Sequence, residues 1–484
     1  MALAERASVM GVCQQERVTR VRSAGFNASG LPDEALDTLL QRLGRSRHDV
    51  GRYVAGEPDG RCAGADTVER IDHHFAHACA AYLSSPFTDA TILVCDHEAP
   101  KVSVWSGRGG EISSVEWPWR GPGFADVYSR GARAFGFRAE TGDQRLEALA
   151  RLRPDARDAR VERLLTGDGT SVTDHALERS LEQWLAGERH PGSASSAALA
   201  ASLQARIGEL VLELLAEVRR RTGSAHLCLA GSLFYHSSIN TLAKRAGIFD
   251  EVFVPIDPGN AGLAVGTALH ANRCAPRPVS PFLGPSYSAY ETKEILDNCK
   301  LQYSWESEEN IIAVAVRALQ SGTLVGWFDG PMEWGPRALG ARCILANPFA
   351  PYVLENLNHF LKGREPWRGY AVSGLEAAVA DHFDGPATAP FMESDYRPRD
   401  AARFRNVLPS PDAAIRVHTV GSDALPRFTR LLEAFGSATG APFLVNTSFN
   451  GFHEPIVCSP RDAVRVFYGS GLDLLVLDQF VLRK

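Results

Sequence analysis

The stretch "ERIDHHFAHACAAYLSSPFTDATILVCDHEAP", residues 69–100, places a histidine-rich segment directly ahead of an apolar one. Read as a helix from about Asp72, it sets His73 and His77 four residues apart, so both imidazoles lie on one face. That spacing suits a divalent metal ion and equally suits a helix that only packs on a sheet. After Pro86, "ATILVCD" reads as a buried strand ending in Asp96. In α/β proteins, ligands gather at the carboxyl ends of such strands. His73, His77 and Asp96 are therefore the first candidates for a metal site.

Working outward, "ASVMGVCQQERVTR" (7–20) reads as a short strand with a polar exit, "LPDEALDTLLQRLG" (31–44) as a helix and "HDVGRYVAG" (48–56) as a strand. "KVSVWSG" (101–107) pairs back on the apolar strand. The segments "ALERSLEQWLAG" (176–187) and "ALAASLQARIGELVLELLAEVRRRTG" (198–223) are amphipathic helices, the second closed by arginines and Gly223. "AHLCLAGS" (225–232) and "DEVFVPIDPGNAGLAVGTALHA" (250–271) each run from a strand into a small-residue turn, which suggests a nucleotide cleft between two lobes. The prolines of 275–290 stop regular structure and mark a linker. A second domain follows, with a helix at 309–322, a strand at 324–330, another at 442–451 and a last helix at 459–471.

At 484 residues the chain exceeds one ordinary core, and two or three domains are expected. A hydrophobic fraction of 45% with 22% charged residues reads as soluble and globular. The formal charge of −6 gives no basic footprint for nucleic acid. Nine cysteines form no CxxC pair, which excludes a zinc knuckle or dithiol centre and fits a reducing compartment. No apolar run approaches a membrane span and no signal-peptide pattern opens the chain, so the cytoplasm is the expected location.

"GWFDGPMEWGPRALGARCILANP" (326–348) carries Arg337 and Arg342 on either side of a glycine, and a planar guanidinium fork suits phosphate or carboxylate oxygens. "NHFLKGREPWRGYA" (358–371) adds Lys362, Arg364 and Arg368 beside Glu365. Interleaved tryptophans and aliphatic residues argue that these cations are half-buried and need an anion. "VNTSFNG" (445–451) presents Asn446, Ser448 and Asn450 at a strand end, where such groups bind a small amide or a nucleotide, or only brace their own turn. In "LAGSLFYHSSIN" (229–240), Gly231 and Ser232 could approach a phosphate, with His236 and Asn240 following. Asp257 and Asn260 could each add an oxygen ligand beside a metal. Neither a GxxxxGK[ST] loop nor a GxGxxG fingerprint is present.

Four segments together resemble one family: "HHFAHA" (73–78), "GPMEWGPRALGARCILANP" (330–348), "LKGREPWRGYA" (361–371) and "PFLVNTSFNGFHEPIVCSPRDA" (442–463). The chain is similar to the ATP-dependent O-carbamoyltransferases of natural-product biosynthesis, which include the tobramycin, cephamycin and nodulation-factor carbamoyltransferases. That resemblance implies a Kae1-like N-terminal domain of the actin and sugar-kinase type over residues 1–280. A linker over 281–290 and a YrdC-like C-terminal domain over 291–484 would follow, α/β and α+β respectively. It implies formation of carbamoyl-adenylate from ATP and carbamoyl phosphate and transfer to a hydroxyl of a small natural product, an antibiotic or other secondary metabolite. Arg337, Arg342, Lys362 and Arg364 would hold carbamoyl phosphate and the ATP phosphates near Asn446, Ser448 and Asn450. Gly231, Ser232, His236, Asn240 and Asn260 would contact the nucleotide. His73, His77 and Asp96 would bind a divalent ion, Fe(II) by resemblance, with Mg(II) accompanying the nucleotide.

The chain departs from the family pattern at several points. The resemblance leads one to expect an HDSA-like segment before "VCQQERVTR", and its absence there implies either a misplaced start, and so an incomplete chain, or a lost first strand whose open sheet edge a homodimer or partner subunit covers. "GSLFYH" replaces a GG-x-x-x-N turn, His97 stands for a glycine, Asn260 for a metal-binding aspartate and Arg145 for a lysine. These departures carry an alternative reading, a degenerate nucleotide-binding partner of an intact carbamoyltransferase.

Overall fold

Asp72 accepts a hydrogen bond from the Phe75 backbone N–H at 2.7 Å and so starts the helix His73–Leu83 where the histidine spacing expects it. The computed structural model of the chain describes residues 1–56, 68–137, 141–187, 192–421 and 424–484. The helix leads into the strand Asp89–Cys95, the centre of a five-stranded sheet. On one side the strand pairs antiparallel with Val102–Arg108, which pairs with Glu111–Val115; on the other it pairs parallel with His226–Ala230, which pairs with Glu251–Phe253.

Both faces of this strand are covered, which explains its unbroken apolar sequence. Leu93 and Cys95 face a core built with Phe124, Tyr128 and Leu214. Ile92 and Val94 face Ala78, Cys79 and Leu83 of the histidine helix. That helix also packs on Leu263–Ala271, and the approach is close because Gly266 has no Cβ: one added there would lie 2.4 Å from the Ala80 nitrogen.

The C-terminal half is a ten-stranded mixed sheet whose middle runs Leu474–Leu477, Val325–Phe328, Arg342–Ala346, Phe443–Ser448, Ala371–Leu375, Ile415–Val420. Helices Glu308–Gln320 and Pro426–Thr439 close one face over Trp327 and Leu444. Phe328, Val445 and Phe467 fill the other. The α/β and α+β character expected for the two halves is what the strand pairings show.

Two expectations meet a different local structure. Residues expected to follow a lost strand form their own hairpin, Ala2–Glu5 with Ser8–Val12, separate from the five-stranded sheet. The segment expected to be a linker is held along its length. The Leu283 carbonyl accepts from Val12 N at 2.8 Å, the Pro281 carbonyl from Trp334 N at 2.9 Å, and Gly284 N donates to the Met332 carbonyl at 2.9 Å. The helix Ala289–Asn298 begins within it, capped by Ser288. Among the described residues, no helix is long and apolar enough to cross a membrane.

Candidate functional site

The helix His73–Leu83 and the strand ending at Cys95 bring three buried donors together. His77 Nε2 lies 2.6 Å and His73 Nε2 3.1 Å from the same oxygen, Asp96 Oδ2. The other oxygen, Oδ1, accepts from Ser232 Oγ and from His97 N, both at 2.6 Å. Burial pushes the Asp96 carboxyl up, but the hydrogen bonds from His73, His77 and Ser232 outweigh it and hold the group far below the usual carboxylate range. The ligand atoms of His73, His77 and Asp96 lie within 4.8 Å of one another, and among the described residues they are the one such group. Two imidazoles and a carboxylate are a donor set for a divalent transition ion, Fe(II) included. Among the described residues, Nδ1 of both histidines is buried without a partner, and the ring nitrogens meet no group there other than this carboxylate. The residues fit a metal ion.

Asn260 is outside that cluster: it is exposed at the turn Asn260–Gly262 and faces the cavity described below. Asp257 is buried, and one of its oxygens accepts from Tyr235 Oη at 2.6 Å and Gly259 N at 3.0 Å.

The turn after His226–Ala230 has a different purpose from the one its glycine suggests. Gly231 has φ of 98°, and a Cβ there would lie 2.1 Å from the Cys95 carbonyl oxygen. The glycine lets the turn cross the end of the central strand, which delivers Ser232 to Asp96. His236 is a core residue, stacked on Tyr128 at 3.8 Å, and burial lowers its pKa. Asn240 is fully buried and donates to the carbonyls of Phe234 and Glu393, tying the two halves together. Gly231, His236 and Asn240 are therefore placed as packing residues, while Ser232 reaches the cavity.

At the other end, Arg337, Lys362, Arg364, Arg368 and Arg416 line one wall. Among the described residues, Arg337 donates only to the Tyr235 carbonyl, at 3.3 Å. Burial, and then the neighbouring Arg416, push its pKa down to about 9. Burial and Arg364 likewise push Arg368 down to about 9. Lys362 Nζ donates to the Ser448 carbonyl at 2.6 Å, to Asn450 Oδ1 at 2.6 Å and to the Asn450 carbonyl at 3.1 Å. Ser448 Oγ donates to Asn450 Oδ1 at 2.8 Å, so the polar turn and the lysine form one unit. Cations crowded and desolvated in this way are stabilised by a bound anion.

Arg342 does not belong to this wall. It is fully buried over the Phe328 ring, and its fork donates to the carbonyls of Asp329, Gly330, Ala341 and Pro285. It braces the loop 329–341 that carries Arg337.

Sequence reasoning missed the residues joining the halves. Glu147 is fully buried and accepts from Arg151, 2.8 Å away, and from Arg416. Asp395 accepts from Arg151 and from Ser237 Oγ, the latter at 2.7 Å. The one sequence signal was Arg416 itself, a lone charge in the apolar strand Ile415–Val420. One cavity of about 1990 Å³ connects the two ends, with Asp96 and Ser232 at one and Arg337 and Arg416 at the other.

Residues 59–269 match the family described as carbamoyltransferase N-terminus, and residues 316–484 match the carbamoyltransferase C-terminus. An uncharacterized protein of Synechocystis sp. is 32% identical over 466 residues, spanning 85% of this chain and 76% of that protein. The nodulation protein NolO of Bradyrhizobium diazoefficiens is 34% identical, but the chain spans only 54% of its length and the match 59% of this chain. The 3'-hydroxymethylcephem-O-carbamoyltransferase of Amycolatopsis lactamdurans is 28% identical across 85% of this chain and 80% of that protein.

Proposed function

The chain belongs to the carbamoyltransferase family, and on that premise we propose that it makes carbamoyl-adenylate and transfers the carbamoyl group to a hydroxyl of a small natural product. The observation that carries this reading is the single cavity joining a wall of cations to a buried histidine–carboxylate centre.

In the proposed sequence, water cleaves carbamoyl phosphate to carbamate and phosphate. A carbamate oxygen then attacks the α-phosphorus of ATP, and pyrophosphate leaves. Arg337, Arg364, Arg368 and Arg416 neutralise the charge that gathers on the departing groups. The mixed anhydride so formed hydrolyses readily in water, and an internal passage to the Asp96 end protects it. There the acceptor hydroxyl attacks the carbonyl carbon, AMP leaves, and the hydroxyl proton is lost. His73, His77 and Asp96 would hold a divalent ion, which when bound supplies Lewis-acid polarisation. Ser232 fixes the Asp96 carboxylate in that role.

The test is to supply ATP, carbamoyl phosphate and a divalent metal and to measure AMP and pyrophosphate by mass spectrometry, then to add hydroxylated acceptors. Both products should form, and carbamoylated acceptor should require both cosubstrates. Acceptor turnover without ATP or without carbamoyl phosphate would sink the proposal.

A further inference from the structure

The two ends of the cavity set a problem of reach. In carbamoyl-adenylate a single oxygen separates the carbonyl carbon from the phosphorus, so a carbonyl that arrives at Asp96 brings the phosphate charge with it. The cations of the wall stay behind. Lys362 is tied to the turn of Ser448 and Asn450, and the loop that carries Arg337 is held by Asn446, whose Nδ2 donates to the Ala338 carbonyl at 2.9 Å and to Ser373 Oγ at 2.8 Å.

The helix Gly142–Ala150 runs between the two ends. Asp143, in its first turn, acts on the charge of His97, the residue after Asp96, and Arg151 at its far end meets Glu147, the partner of Arg416. Its nine residues rise about 14 Å along the cavity. Gln144, Arg145 and Ala148 turn one face of the helix to that space, and Arg151 follows them. Arg151 is spent on Glu147 and Asp395, which leaves Arg145 as the cation of this face. Arg145 Nη2 lies 2.5 Å from Glu365 Oε1 of the other half, and its Nε is buried without a partner among the described residues. Both residues line the cavity, and among the described residues no other ion pair between the halves does so. Glu365 has a second cation in Arg368, whose Nη1 is 3.7 Å from Oε2, so it keeps a partner when Arg145 lets go.

We infer that Arg145 receives the phosphate of carbamoyl-adenylate as the intermediate leaves the wall, exchanging Glu365 for it, and so holds the intermediate inside the cavity until it reaches Asp96. The inference rests on the carbamoyl-adenylate reading above. A guanidinium suits the exchange, because its fork takes a carboxylate or a phosphate in the same geometry.

The experiment needs no acceptor. The protein is mixed with ATP, Mg(II) and carbamoyl phosphate, the initial burst of pyrophosphate is measured, and rapid ultrafiltration with mass spectrometry follows carbamoyl-adenylate and its hydrolysis product AMP into the filtrate. The readout is the rate of escape per pyrophosphate of the burst, which scores only the active fraction, so a variant that folds poorly does not imitate the result. The wild type should release the intermediate slowly. Arg145→Met should raise the rate of escape about tenfold or more, the worth of a hydrogen bond to a charged group. Arg145→Lys, which keeps the cation, should restore most of the retention, and Glu365→Gln, which keeps Arg145, should retain the intermediate as the wild type does. Escape from Glu365→Gln as fast as from Arg145→Met would mean that the pair only closes the cavity, and would overturn the inference. So would unchanged escape in Arg145→Met, or a wild type that releases the intermediate as fast as it forms. No pyrophosphate from the wild type is a different result, because it removes the underlying reading itself.

Discussion

Arg151, the residue that ends the helix Gly142–Ala150, reaches across to Asp395 of the opposite half with Nε 3.0 Å from Oδ2 and Nη2 3.1 Å from Oδ1. The fork is bidentate and both partners are nearly buried, so the pair is a specific joint between the two halves. Removing Asp395 leaves Arg151 buried with Glu147, itself shared with Arg416, as its remaining carboxylate partner. Asp395→Ala should therefore lower unfolding stability by about 3–5 kcal/mol, read from the urea midpoint. If Asp395→Ala is silent, the joint is not carrying the contact.

Arg337, in the loop 329–341, and Arg342, at the start of the strand that follows it, lie five positions apart and should fail in different ways. Arg337 faces the cavity with a single backbone acceptor, so Arg337→Ala should reduce AMP formation by about 10²–10³-fold with little change in thermal stability. Arg342→Ala removes a donor from four carbonyls, of which those of Ala341 and Pro285 keep a backbone N–H, and should cost about 3 kcal/mol or more in stability. Urea unfolding alongside the AMP assay separates the two. Equal stability losses would place both residues in packing.

Ser232 makes the same kind of contrast at the other end of the cavity. Removing the hydroxyl that orients Asp96 should weaken Fe(II) binding about 10–100-fold in Ser232→Ala, measured by equilibrium dialysis of the purified protein. His77→Ala should reduce it further. Unchanged binding in His77→Ala would remove the cluster as the metal site.

Much of this arrangement was legible from local pattern. The helical spacing of His73 and His77 and the strand ending at Asp96 needed only the 3.6-residue period and the alternation of an apolar strand. Arg342 was misplaced because a guanidinium in an apolar segment looks the same whether it faces carbonyls or a ligand. Gly231 was read as a phosphate turn because the need to clear the Cys95 carbonyl appears only when two strands are side by side. Glu147 and Arg416 stand 269 residues apart, and no periodicity announces a contact at that separation. Asn240 and His236 look like site residues in sequence because burial, which makes them packing groups, is a tertiary property.

The acid side of the stability curve should report on His418. Burial lowers this imidazole from 6.5 to about 3, where it stays neutral beside Ser373. Between those values the unfolded chain binds a proton that the folded chain does not, so stability rises with pH across that window. It is fully present above about pH 6.5 and is lost as pH falls toward 3, by up to about 1.4 kcal/mol per unit. In His418→Gln that component of the slope disappears, so the difference between variant and wild type should shrink as the pH is lowered from 7 to 4. Urea unfolding at each pH measures it. A difference that stays constant over the range would mean that His418 does not remain neutral in the fold, and that the bond holding Ser373, and through it Asn446, is formed by a charged ring.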